Sequence, residues 1–162
     1  MPPLQVSALS QAAFAPYGDV LEVLGDPDKL INKALCKRYH DRAILRADDQ
    51  GRMGVSIFMS QSFSLPHVVD MLERHPLGSQ AFIPMHQNPF LVIVAPDNQG
   101  QPDTPLAFVT NGAQAVNIGA NIWHGVLTPL ADPGLFAVVD RIGQGKNLEE
   151  FWYDVPFNVM PY

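Results

Sequence analysis

The sequence predicts a single all-β domain, mainly antiparallel, built as a sandwich or small barrel with a few short helices. Three observations carry that prediction. Short runs rich in Val, Ile and Phe start roughly every ten residues, separated by Gly, Pro, Asn and Asp. Fifteen prolines and twelve glycines suit tight turns better than long helices. A length of 162 residues, 47% of them hydrophobic, supplies the core of one domain and not of two, so the domain is expected to span 1–162.

The elements follow in order. "LSQAAFAPYGDV" reads as a short helix started near Ser7 or Ser10 and stopped by Pro16 and Gly18. A second helical turn is expected between Pro27 and Leu35. After that the strand runs dominate: "RMGVSIFM", "PHVVDMLERH", "SQAFIPM", "PFLVIVA", "PLAFVT", "QAVNI", "NIWHGVLTPL" and "GLFAVVDRI". "LEEFW" is expected to close the chain with a helical turn, ahead of the apolar segment "FWYDVPFNVMPY". No repeat, low-complexity tract or charge block interrupts the series.

Composition excludes several function classes. A net charge of −6 with ten scattered basic residues argues against nucleic acid, which needs clustered Lys and Arg. A protein of this charge that handles an anion relies on a few placed arginines. The single Cys36 forms no intrachain disulfide. Lys37 and His40 lie near it, as a nucleophile would want, but a small buried apolar filler is the expected role. "MPPLQVSALS" lacks the pattern of a signal peptide, and "FLVIVA" is too short to span a membrane. The expected location is the cytoplasm.

The chemistry concentrates in two stretches. In "ERHPLGSQAFIPM", Glu73 and His75 stand two apart and so share one face of a strand. "PLGS" offers a turn, and a hairpin there would return Gln80 beside them. The competing interpretation is a solvated hairpin tip with all three side chains in water. In "NIWHGV", Ile122, His124 and Val126 share a face, which turns His124 inward. One inward histidine is usually a satisfied core residue. Two on separate strands, with a carboxylate and an amide beside one, favour a site.

These stretches carry a resemblance. Glu73-x-His75-(x4)-Gln80, with the later Gly119-(x3)-Trp123-His124, looks like the two-motif pattern of cupins. The usual first histidine is replaced by Glu73 and the usual glutamate by Gln80. More specifically, "RYHD", "LERHPLGSQAFIPM", "FVTNGAQAVN", "NIWHG" and "VVDRIGQG" are similar to the ureidoglycolate lyase family, from "LSQAAFAPYGDV" to "DRIGQG".

The resemblance implies a cupin-like barrel and a cytoplasmic homodimer of allantoin and purine catabolism that splits ureidoglycolate into glyoxylate and urea. The residues suit that chemistry. The substrate is a carbinolamide bearing a carboxylate, so its C–N cleavage needs a base, an acid and a cation. His75, His124, Glu73 and His40 can move the protons. Arg38, then Arg141, then Arg74 are candidates for a bidentate carboxylate clamp. Asn32 and Asn117 suit the ureido group. His75, His124 and Glu73, with Gln80 as a weak oxygen ligand, suit a divalent ion, and the resemblance points to nickel. A metal-free acid–base site stays an alternative. Two other classes remain open: a non-haem iron oxygenase on the same two-histidine, one-carboxylate set, and a non-catalytic module binding a small acid.

Overall fold

The computed structural model describes residues 1–162. Its strands in chain order are β1 (Pro3–Leu4), β2 (Val6–Ala8), β3 (Gly18–Leu21), β4 (Lys29–Ile31), β5 (Cys36–Arg38), β6 (Gly51–Ser60), β7 (His67–Arg74), β8 (Gln80–Pro84) and β9 (Phe90–Ala95). They continue with β10 (Asp97–Asn98), β11 (Gln101–Pro102), β12 (Leu106–Val109), β13 (Ala115–Ile118), β14 (Trp123–His124), β15 (Thr128–Pro129), β16 (Gly134–Gly143) and β17 (Glu149–Val159). One helix, α1 (Gln11–Phe14), is capped where the Ser10 hydroxyl accepts from the Ala13 amide. No helix is long and apolar enough to cross a membrane.

Two sheets form the body, as the all-β reading requires. The larger runs β1-β17-β7-β14-β9-β12-β2, with β15 also on β9, and the smaller runs β3-β13-β8-β16-β6. β9 is buried at all six positions, and alternation sends its side chains to two different cores. Phe90, Val92 and Val94 join Phe14, Phe82, Phe108, Val116 and Phe136 between the sheets. Leu91, Ile93 and Ala95 join Val69, Leu72, Trp123 and Val159 on the far face of the larger sheet.

Tertiary pairing overrides local pattern in several places. The helical turn expected at Pro27 to Leu35 is instead the β4–β5 ribbon, with Ile31 opposite Cys36. Asn32, Lys33 and Ala34 all take left-handed backbone at its tip, and Leu30 and Leu35 stay exposed, so no apolar stripe is buried to hold a helix. Cys36, expected to be buried, is exposed on that ribbon. "LEEFW" is strand and not helix: β17 pairs with β7, and Phe151 packs on the second core. "NIWHGVLTPL" is not one strand. After His124 the Gly125 amide bonds to the Ile93 carbonyl, the chain leaves the sheet, and Val126 is exposed, so it does not share the His124 face. The hairpin from Glu73 to Gln80 does not form either, because β7 and β8 belong to different sheets and "PLGS" is a corner between them. The apolar C-terminal segment packs on its own barrel through Phe151, Tyr153 and Phe157.

Phe136 is fully buried and meets Phe90 edge to face at a 5.0 Å centroid distance. Phe136→Ala should lower unfolding free energy by about 3–5 kcal/mol in urea titration, through lost burial and the cavity left behind. A loss below about 1 kcal/mol would show that the two sheets close over the gap.

Candidate active site

Register, more than proximity in sequence, assembles the site. On β14, His124 lies opposite Val94 of β9 and Glu73 of β7, so it shares the inner face with both. His75 follows β7 directly, and its ring centroid is 5.2 Å from that of His124. From the other sheet, Gln80 and Asp140 are register partners, and the Gln80 amide donates to Asp140 Oδ2 at 3.2 Å. Both sheets therefore contribute to one end of the sandwich.

The two imidazoles are oriented by main-chain carbonyls. His75 Nδ1 is 2.7 Å from the Asn147 carbonyl, and His124 Nδ1 is 3.0 Å from the Gly125 carbonyl. A carbonyl only accepts, so each Nδ1 carries the hydrogen. In the neutral rings each Nε2 is then a bare lone pair, and both are buried without a partner. Glu73 Oε1 faces His75 Nε2 at 3.6 Å, longer than a formed hydrogen bond. One ligand atom from each of Glu73, His75 and His124 lies within 4.8 Å of the others. Two orphaned imidazole lone pairs and a carboxylate fit a divalent ion, with the carbonyls as outer partners that set the tautomers. Gln80 Oε1 is also buried and free.

The pKa values are pushed apart. Burial opposes charge on His75, but the Glu73 carboxylate, the Asn147 carbonyl and the Asp140 charge together raise it above the ordinary imidazole value. The contact with His75, aided by the charges of both histidines and opposed by burial, holds Glu73 below the carboxylate range. Burial, with the neighbouring His75 charge, lowers His124 from 6.5 to about 4, against the pull of the Gly125 carbonyl and Glu73.

The remaining candidates lie elsewhere. Arg74 points away from Glu73, bound by Glu149 and Asp97 and lying 4.3 Å from the centroid of the Trp123 ring. Arg141 is buried on the outer face of the smaller sheet against Asp48 and the Gln144 carbonyl. Asn117 donates to Asp19 and to the Ile44 carbonyl on that same outer face. Asn32 sits at the tip of the β4–β5 ribbon, Arg38 ends it, and His40 follows it, all exposed. The His40 amide is tied to Asp28. Sequence reasoning did not single out Asp140 or Asn147. Asp140 had a signal, since it alternates with Phe136 and Val138 on an apolar face. Asn147 acts through a main-chain carbonyl, which carries none.

Comparison with known proteins identifies the family. The family model described as ureidoglycolate lyase matches residues 1–160. The ureidoglycolate lyase of Rhodobacter capsulatus is 54% identical over 156 residues, covering 96% of this chain and 97% of its own. Ureidoglycolate lyase 2 of Rhizobium meliloti is 48% identical over 160 residues, 98% of each chain. The ureidoglycolate lyase of a Chelativorans species is 47% identical over 152 residues, 93% of this chain and 92% of its own.

Two outcomes follow from the geometry. Between pH 6.5 and about 4 the unfolded chain protonates His124 while the folded chain resists, so this residue costs stability as pH falls through that window. Urea titration of chelator-treated protein should therefore show a shallower acid loss in His124→Gln than in wild type; equal slopes would mean His124 is not buried neutral. Ni²⁺ should raise Tm in wild type and not in His124→Gln, the gain fading at low pH as protons compete for Nε2. An equal Tm rise in both proteins would move the metal away from these residues.

Proposed function

The chain belongs to the ureidoglycolate lyase family, and from that premise we propose that it cleaves ureidoglycolate to glyoxylate and urea in the cytoplasm. The observation that carries this reading is the convergence of Glu73, His75 and His124 at one end of the sandwich. Oxygenase and non-catalytic binding roles gain nothing from the family.

Cleavage moves one proton from the substrate hydroxyl to the departing urea nitrogen as the carbonyl forms. Glu73, held ionised, accepts the hydroxyl proton. His75, whose pKa is raised, carries a proton on Nε2 and donates it to the leaving nitrogen. The proton taken by Glu73 then crosses the 3.6 Å gap to His75 and restores the pair. His124, kept neutral by burial, orients the substrate as an acceptor. Gln80, its amide fixed on Asp140, offers Oε1 to a substrate N–H. In a metal-loaded form of the site, Glu73, His75 and His124 would hold a divalent ion, nickel in this proposal, with His75 Nε2 a bare ligand in place of its proton; the ion would polarise the hydroxyl and carboxylate oxygens, lowering the hydroxyl pKa.

Of the three arginines named as clamps, Arg74 and Arg141 already neutralise internal carboxylates. Arg38 has no carboxylate partner and is the clamp proposed here. A homodimer is proposed through the smaller sheet. Val55, Ile57 and Met59 of edge strand β6 are 71%, 62% and 70% exposed, beside Val139, Ala137 and Leu135 of β16. An apolar face ending in an unpaired edge calls for a cover.

Urea, ammonia and glyoxylate measured together should rise as urea and glyoxylate in equal amounts; ammonia in place of urea would overturn the lyase assignment. His75→Gln and His124→Gln should each abolish kcat while remaining folded, with the double variant little worse than either, because groups acting on one bond fail as a unit. Arg38→Lys should keep kcat and weaken substrate binding by about 1–3 kcal/mol, by loss of the planar fork. Sedimentation should give about twice 17.8 kDa at micromolar protein.

A further inference from the structure

The β4–β5 ribbon is unlike the rest of the molecule. It pairs only with itself and contributes nothing to either core. Leu30 is 53% and Leu35 87% exposed. An isolated two-stranded ribbon is marginal in water without something to pack on. Its charge is also segregated: residues 29–38 hold Lys29, Lys33, Lys37 and Arg38, four of the ten basic residues, and none of the sixteen acidic ones. The remainder of the chain is correspondingly acidic.

The site has the opposite deficiency. Glu73, Gln80 and Asp140 have no Lys or Arg bound to them, although the substrate of the proposed reaction brings a further carboxylate. The ribbon leaves the body at the edge of the smaller sheet opposite β6. It follows β3, an edge of the smaller sheet, and the chain then returns across that sheet's outer face through Ile44 on Asp19 and Asn117, Arg46 on Ser79, and Asp48 on Arg141.

We propose that the Lys29–Arg38 ribbon crosses to a second copy of this chain, burying Leu30 and Leu35 there and delivering Arg38 to that copy's site as the carboxylate clamp. The occupant is a second copy because a basic, apolar-tipped ribbon and an acidic body are complementary within one sequence. The clamp role rests on the lyase reading; the crossing does not.

Two measurements separate these. Arg38→Ala and His124→Gln subunits, co-expressed and purified through two different tags, form a heterodimer with one site carrying both defects and one carrying neither. Each variant homodimer should lose most of its kcat/KM, and the heterodimer should recover about half the wild-type kcat/KM per dimer. No recovery, or an Arg38→Ala homodimer with wild-type substrate affinity, overturns the proposal; should His124→Gln melt early, His75→Gln takes its place. Sedimentation of Leu30→Asp/Leu35→Asp, exposed positions that leave the fold intact, should give monomer where wild type gives dimer. A variant that stays dimeric overturns the crossing, as does a monomeric wild type. A dimeric wild type without lyase activity fails the functional reading alone, and this sedimentation result then decides the crossing.

Discussion

The burial of β9 on both faces organises this molecule. A strand apolar at every position must find cover on two sides, and here the inter-sheet core takes Phe90, Val92 and Val94 while the outer core takes Leu91, Ile93 and Ala95. β12, β14 and β15 all pair with it. Because β14 is registered on β9 with His124 opposite Val94 and Trp123 opposite Ala95, one dipeptide is split between the two cores. Trp123 anchors the outer one, and His124 has nowhere to go but inward. A register slip of one residue would exchange them and dismantle the site.

Burying polar groups at one end of that core is costly unless each finds a partner. The chain meets most of this with main-chain carbonyls on the two Nδ1 atoms and with the Gln80–Asp140 pair. Three of the five buried side-chain atoms left unpaired lie together there: both Nε2 atoms and Gln80 Oε1, with His86 Nε2 and Asn117 Oδ1 elsewhere. Arg74 and Arg141 follow a different logic. Each ties segments together, Arg74 joining β17 to β10, and Arg141 holding the approach to β6. Gly51 and Gly78 sit so close to Arg141 that an added Cβ would fall 2.6 Å from its side chain at each. These arginines brace the frame that keeps the site in shape.

The surface divides as clearly as the interior. The outer face of the smaller sheet is crossed at one end by the segment around Ile44 to Asp48 and left apolar at the other, along Val55, Ile57 and Met59. The ribbon that follows the opposite edge strand, β3, concentrates positive charge in a protein of net charge −6. Long-range attraction of this kind guides association and weakens with salt, whereas the apolar face supplies a cover that salt does not screen.

The sequence by itself determined β6 to β9, β12, β13 and β16, because local apolar patterning survives wherever a strand is buried. It also marked Glu73, His75 and His124, which sit within recognisable motifs and which the fold brings together. Only the tertiary structure decided which strands pair, which arginines are spent on internal carboxylates, and where the apolar tail rests. The "PLGS" stretch reads equally well as a hairpin turn or a sheet-to-sheet corner, and the choice was made by β14 and β17 claiming β7 while β13 and β16 claimed β8. Arg141 looked like a free cation until Asp48, 93 residues away, closed on it. Residues 27–35 and "LEEFW" went against expectation for one physical reason: short segments are settled by whatever edge or core they meet, and that partner lies far away in the chain.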